Sequence, residues 1–231
     1  MLKKDLILRN PLRLMGQESE DIIPAGGCGA VLARAGVGKT ALMIQLALNS
    51  LLRGKNVLHI SLNDPVDKVT LWYQEMFNRL AQQYKISEIN RLWDTILPHR
   101  FIMTFKIEGF SVPKFEERLT DLTEQNIFRP DMILIDGLPF DEAARSALGE
   151  LKRLTQKYAM QLWLSVKTHR HETPGPNGMP PQLLHVDDLF EVILQLQPDG
   201  KEIYIKALKG GSQAEQAPEL RLDPGTMLIK S

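Results

Sequence analysis

Ala33-Arg34-Ala35-Gly36-Val37-Gly38-Lys39-Thr40 lies between a short apolar run and a stretch with helical spacing. It fits the pattern GxxxxGK[ST] except at the first position, where alanine replaces glycine. A glycine-rich turn lets consecutive backbone N–H groups converge on phosphate oxygens, and the start of the following helix adds partial positive charge at the same point. The pattern predicts an anion cradle made by Ala35, Gly36, Val37, Gly38, Lys39, Thr40 and Ala41. Lys39 would reach the terminal phosphates of a nucleotide, and the Thr40 hydroxyl would ligate a magnesium ion bridging them. The competing reading is an ordinary strand-to-helix turn. Against it stands the Gly-Lys-Thr ending in strand-helix context, which is the specific part of the pattern.

The flanks extend this reading into a fold. Gly29 to Ala33 is a buried strand pattern, and Ala41 to Leu52 is a helix with apolar residues on most faces. Asn56 to Leu62 reads as the next strand, followed by Asp64-Pro65 as helix cap and first helical residue, with a helix to about Gln83. Strand patterns recur at Arg100 to Phe105, Met132 to Ile135 and Gln161 to Val166; helical ones occupy Phe115 to Asn126 and Asp141 to Tyr158. This alternation predicts an α/β fold, a mostly parallel sheet with helices on both faces, whose ligands sit at the carboxyl ends of the strands. A Pro- and Gly-rich stretch, residues 169–181, reads as a long loop. Glu191 to Leu196 and Glu202 to Leu208 then flank an Asp-Gly turn as a hairpin, and a small terminal hairpin surrounds Asp223-Pro224-Gly225. The expected organisation is an extension, residues 1–24, and one domain, residues 25–231.

Composition bounds the function. The chain has 231 residues, with 28 basic and 28 acidic side chains that cancel, so no global field draws it to polyanions or an anionic membrane. No apolar stretch reaches transmembrane length, and the start lacks the apolar segment of a secretory signal. The single Cys28 excludes an intramolecular disulfide and reads as a small buried residue beside the first strand. These features predict a cytoplasmic protein.

Asp136 ends the strongest strand pattern and is the carboxylate that a magnesium-dependent phosphate loop requires opposite Thr40. Its alternative role is to cap the turn into Gly137 and Pro139. His169, His171 and His185 match no strong metal-ligand spacing, and His169 fits better as a polar contact to a terminal phosphate or a neighbouring subunit. Trp72, Tyr73, Met76, Phe77 and Leu80 form an apolar band that reads as core or subunit contact.

Taken in order, these motifs resemble the RecA-like P-loop ATPases. They comprise the phosphate loop, the strand ending at Asn63-Asp64, the strand ending at Asp136, the strand running into Lys167-Thr168-His169, and the segment Lys206-Ala207-Leu208-Lys209-Gly210-Gly211. Within that superfamily the chain looks most like the KaiC and RadA branch, over about Ala25 to Ile229. The resemblance implies a RecA-like three-layer fold with C-terminal hairpins, ATP and Mg2+ as ligands, and a homo-oligomer with ATP near the subunit interface. It also implies a carboxylate after the second strand that activates water, and a basic residue supplied by a neighbouring subunit.

Both catalytic positions depart from that pattern. The acidic pair falls on Asn63-Asp64, so the base position carries an amide that can orient water without accepting its proton, unless Asp64 serves instead. The basic position falls on Lys209, which is either the group acting in trans or a solvated charge at a hairpin end. An arginine there is worth roughly three to five orders of magnitude in rate, and lysine lacks its planar fork. The expected function is ATP binding with slow hydrolysis that works as a conformational or assembly switch. Two alternatives stay open. One is a recombination or replication accessory ATPase on single-stranded DNA, which the acidic Gly137 to Glu142 loop disfavours. The other is an interaction module that nucleotide merely stabilises.

Overall fold

The structure is a computed structural model, and it describes residues 7, 11–12, 21–141, 144–169, 172–173, 175, 178–210 and 219–230. Most of the expected extension 1–24 lies outside the described residues, as do Glu142, Arg170, His171 and Gly211.

Among the described residues nine strands form one sheet: β1 (Cys28–Ala33), β2 (Val57–Ser61), β3 (Arg100–Thr104), β4 (Met132–Asp136), β5 (Gln161–Lys167), β6 (Val192–Asp199), β7 (Glu202–Lys209), β8 (Arg221–Leu222) and β9 (Ile229–Lys230). Their spatial order is β3-β2-β4-β5-β1-β6-β7-β8-β9. The first six strands run parallel, and β7, β8 and β9 are added antiparallel at one edge. The architecture is α/β, with a mostly parallel sheet covered by helices and closed by C-terminal antiparallel strands.

The helices are α1 (Lys39–Leu52), α2 (Val66–Gln83), α3 (Ile89–Ile96), α4 (Val112–Glu124) and α5 (Ala144–Lys157). Side chains alternate across the sheet, and this period of two separates the two cores. Val31, Ala33, Met132, Leu134 and Trp163 face α1, α2 and α3. Ala30, Leu32, Ile133, Ile135 and Leu164 face α4 and α5. Helix α1 is buried from Ala41 to Leu52, which explains why its sequence is apolar on most faces. Gly29 lies under Trp163, where an added Cβ would come within 2.6 Å of the indole ring. Among the described residues no helix is long and apolar enough to cross a membrane.

Several expected boundaries shift. Helix α1 starts at Lys39, two residues earlier than its apolar pattern, because Gly38 turns the chain with a φ of 110°. Helix α2 starts after Pro65, which is itself the extended N-cap; no side chain caps it, so Asp64 is not the cap that the Asp-Pro pair suggests. Helix α4 starts at Val112, where the Ser111 hydroxyl accepts from the backbone N of Lys114. Helix α3 escaped the sequence reading, although Ile89, Leu92, Trp93 and Ile96 have helical spacing over its 8 residues. In the α2 band Tyr73, Met76, Phe77 and Leu80 are core and Trp72 packs half-buried against it. Cys28 is buried as the first residue of β1.

Candidate functional site

The sheet rows that face α1 change character at their carboxyl ends. On β2 the row runs Val57, His59, Ser61; on β4 it runs Met132, Leu134, Asp136; on β5 Trp163 is followed by Ser165. Ser61 pairs with Asp136 in the β2–β4 ladder, and Ser165 follows Leu164, the partner of Ile135. Three polar side chains thus stand abreast where the apolar core stops. Helix α1 begins above this row.

Asp136 is the centre of the group. The Thr40 hydroxyl donates to Asp136 Oδ2 at 3.0 Å, joining the first turn of α1 to the end of β4. The Ser165 hydroxyl donates to Asp136 Oδ1, and the backbone N–H of Gly137 donates to Ser165 Oγ at 3.0 Å. Strands β1 and β4 are separated by β5, so roughly 10 Å lies between them at ~5 Å per neighbour. The loop 34–38 and the start of α1 span that gap. Because the Thr40 proton is directed to Asp136, the hydroxyl lone pairs are left to face the cavity.

In the loop, Gly36 has φ 77° and faces open space, with nothing within 4 Å of an added Cβ. Gly38 packs closely, since a Cβ there would meet Leu222 Cδ2 at 2.5 Å. The first N–H groups of α1 have no acceptor within the helix, which leaves their partial positive charge directed outward. The Lys39 ammonium folds back onto the carbonyl oxygens of Ala33 (3.0 Å) and Arg34 (3.2 Å). Burial pushes the Lys39 pKa down; Asp136 opposes that shift and Lys167 adds to it.

A cavity of about 590 Å³ opens over these groups, lined by Lys39, Thr40, Ser61, Asn63, Asp64 and Asp136 among others. Its far wall carries His169 and Gln182. Glu172 joins them by accepting from the His169 backbone N and the Gln182 amide. The volume suits a small-molecule ligand. Two hard oxygen donors, Thr40 and Asp136, fit magnesium, which takes few protein ligands and keeps waters and phosphates for the rest. The open backbone at Gly36 and the partly buried ammonium of Lys39 fit the phosphates.

The expected catalytic residues fare differently. Asn63 and Asp64 both line the cavity. Asn63 packs its amide against Gly137, where an added Cβ would collide with it. Asp64 Oδ1 accepts from Lys68 Nζ at 2.8 Å, and the Asp64 backbone N–H donates to Ser61 Oγ at 2.9 Å. Lys209 is elsewhere: its amine donates to the Asp187 carbonyl at 2.7 Å, within the same chain. Lys206 lines a second cavity, about 420 Å³, that shares His169 with the first. His185 Nε2 lies 3.2 Å from the Asp141 carbonyl, and no group of three His, Cys, Asp or Glu suited to a metal occurs among the described residues. Ser61, Ser165 and Gln182 carry little signal in the sequence, where a lone serine at or near the end of an apolar strand is commonplace. No protein-family model matches the chain, and no curated protein does either.

Proposed function

We propose that this chain binds ATP with magnesium in the cavity above the 33–40 loop and hydrolyses it slowly, the nucleotide acting as a conformational or assembly switch. The observation that carries the reading is the 3.0 Å hydrogen bond from Thr40 to Asp136, which unites two motifs 96 residues apart. Lys39 neutralises phosphate charge, and the N–H groups at the start of α1 hold phosphate oxygens. Thr40 and Asp136 hold the metal, which when bound offsets phosphate charge and orients the terminal group. Asn63 orients water through its amide. Slow turnover follows because no free carboxylate stands at the base position: Asp64 is engaged by Lys68.

That same engagement favours a second reading, binding without turnover. A steady-state ATPase assay on the wild type and Lys39→Ala, run beside calorimetric ATP titrations, separates the two. Slow turnover lost in the variant supports the enzyme. Tight wild-type binding with turnover equal to the variant's supports the binding module. No ATP binding by the wild type sinks both.

A further inference from the structure

We propose that Ser165 is a positioning residue that sets the magnesium affinity of this site by fixing the orientation of the Asp136 carboxylate. The inference rests on the ATP-magnesium reading above.

A carboxylate at the end of a strand turns easily, because the last torsion of aspartate is broad and roughly two-fold. Which oxygen faces the metal position therefore depends on what holds the group. Thr40 holds Oδ2, and Ser165 holds Oδ1. Ser165 has a single proton, and its direction is settled by a third partner. The N–H of Gly137 can only donate, so Ser165 Oγ accepts from it and directs its own proton to Asp136. Ser165 is 3% exposed, which limits competition from solvent at its hydroxyl. Gly137, at φ 98°, is the residue where the chain leaves β4. The serine thus ties the carboxylate to the backbone that follows it, from a strand that contributes nothing else to the metal. Partners of this kind, one step removed from a metal, change affinity by roughly 10-fold to 100-fold when removed.

The test is a titration of ATP binding against magnesium for the wild type, Ser165→Ala and Ser165→Thr, with a parallel measurement in excess chelator. The expected result is at least a ~10-fold rise in the magnesium concentration for half-maximal tightening in Ser165→Ala, with chelator affinity within about twofold of wild type and recovery in Ser165→Thr. The chelator arm separates positioning from a general structural role, which would weaken both affinities together. An unchanged magnesium midpoint in Ser165→Ala overturns the inference while leaving ATP binding intact, and so does an equal loss in chelator or a threonine variant as poor as alanine. A wild type without magnesium-dependent ATP binding overturns the inference and the reading beneath it, before any variant is made. Should the alanine variant not fold, Ser165→Cys, whose thiol donates only weakly, carries the same comparison with the same outcomes.

Discussion

Lys39 Nζ donates to the carbonyl oxygen of Ala33 at 3.0 Å, so the lysine of the glycine-rich loop closes on the strand that launches it. A bound polyphosphate would compete with that contact. Burial holds the pKa of Lys39 below its ordinary 10.5, and only the charged amine attracts phosphate. Nucleotide affinity should therefore fall as pH rises through this lowered value, before an ordinary lysine would lose its proton. Stability should move oppositely. The unfolded chain binds this proton more tightly, so the folded state gains as pH rises between the lowered value and 10.5. Calorimetric titrations and urea midpoints from about pH 7 to about pH 10 check both slopes. Lys39→Met should remove both and weaken ATP binding by roughly 10-fold to 100-fold.

Gly38 and Gly36 make a matched pair. Both have positive φ, 110° and 77°, but only Gly38 is crowded, by Leu222 and the Met227 sulfur. Gly36→Ala should cost about 1–2 kcal/mol, the conformational penalty alone. Gly38→Ala adds a steric clash and should cost clearly more. Urea denaturation of the two variants gives the difference, and equal losses would refute the packing argument.

Gln45, 3% exposed on α1, clamps the terminal hairpin: its Nε2 donates to the Met227 carbonyl at 2.8 Å, and its Oε1 accepts from the Ile229 N–H at 2.9 Å. Gln45→Leu leaves both backbone groups without a partner. At ~1–3 kcal/mol each, the expected loss is roughly 2–6 kcal/mol. Hydrogen exchange should show the Ile229 amide losing protection first, ahead of the parallel strands.

On the proposed ATPase reading, Asn63 would occupy the base position with an amide. Asn63→Glu should raise turnover about 100-fold or more, the usual worth of a positioned base, once the longer side chain clears Gly137. If Asp64→Asn abolishes wild-type turnover and Asn63→Glu adds nothing, Asp64 is the base and its pairing with Lys68 is transient. Single-turnover assays on the two variants decide between them.

Much of the architecture was legible because its signals are local. Continuous apolar runs such as Met132 to Ile135 mark strands buried on both faces, and the burial of β4 matches. The phosphate-loop pattern marks a turn whose glycines need positive φ, and Gly36 and Gly38 have it. Helix α3 was missed because two turns of helix give too few residues to establish a period. The Asp64-Pro65 pair misled because proline took the cap position, leaving aspartate one residue outside the helix, where Lys68 reaches it.

The sequence by itself determined that a glycine-rich turn follows one strand and that a carboxylate ends another, since both are properties of short segments. Only the tertiary structure decided that Thr40, Asp136 and Ser165 meet, that Asp64 is engaged by Lys68, and that Lys209 turns to Asp187. The physical reason is register. Which residues stand abreast at the end of a parallel sheet depends on the strand order β2-β4-β5-β1 and on ladder pairings between segments far apart in the chain.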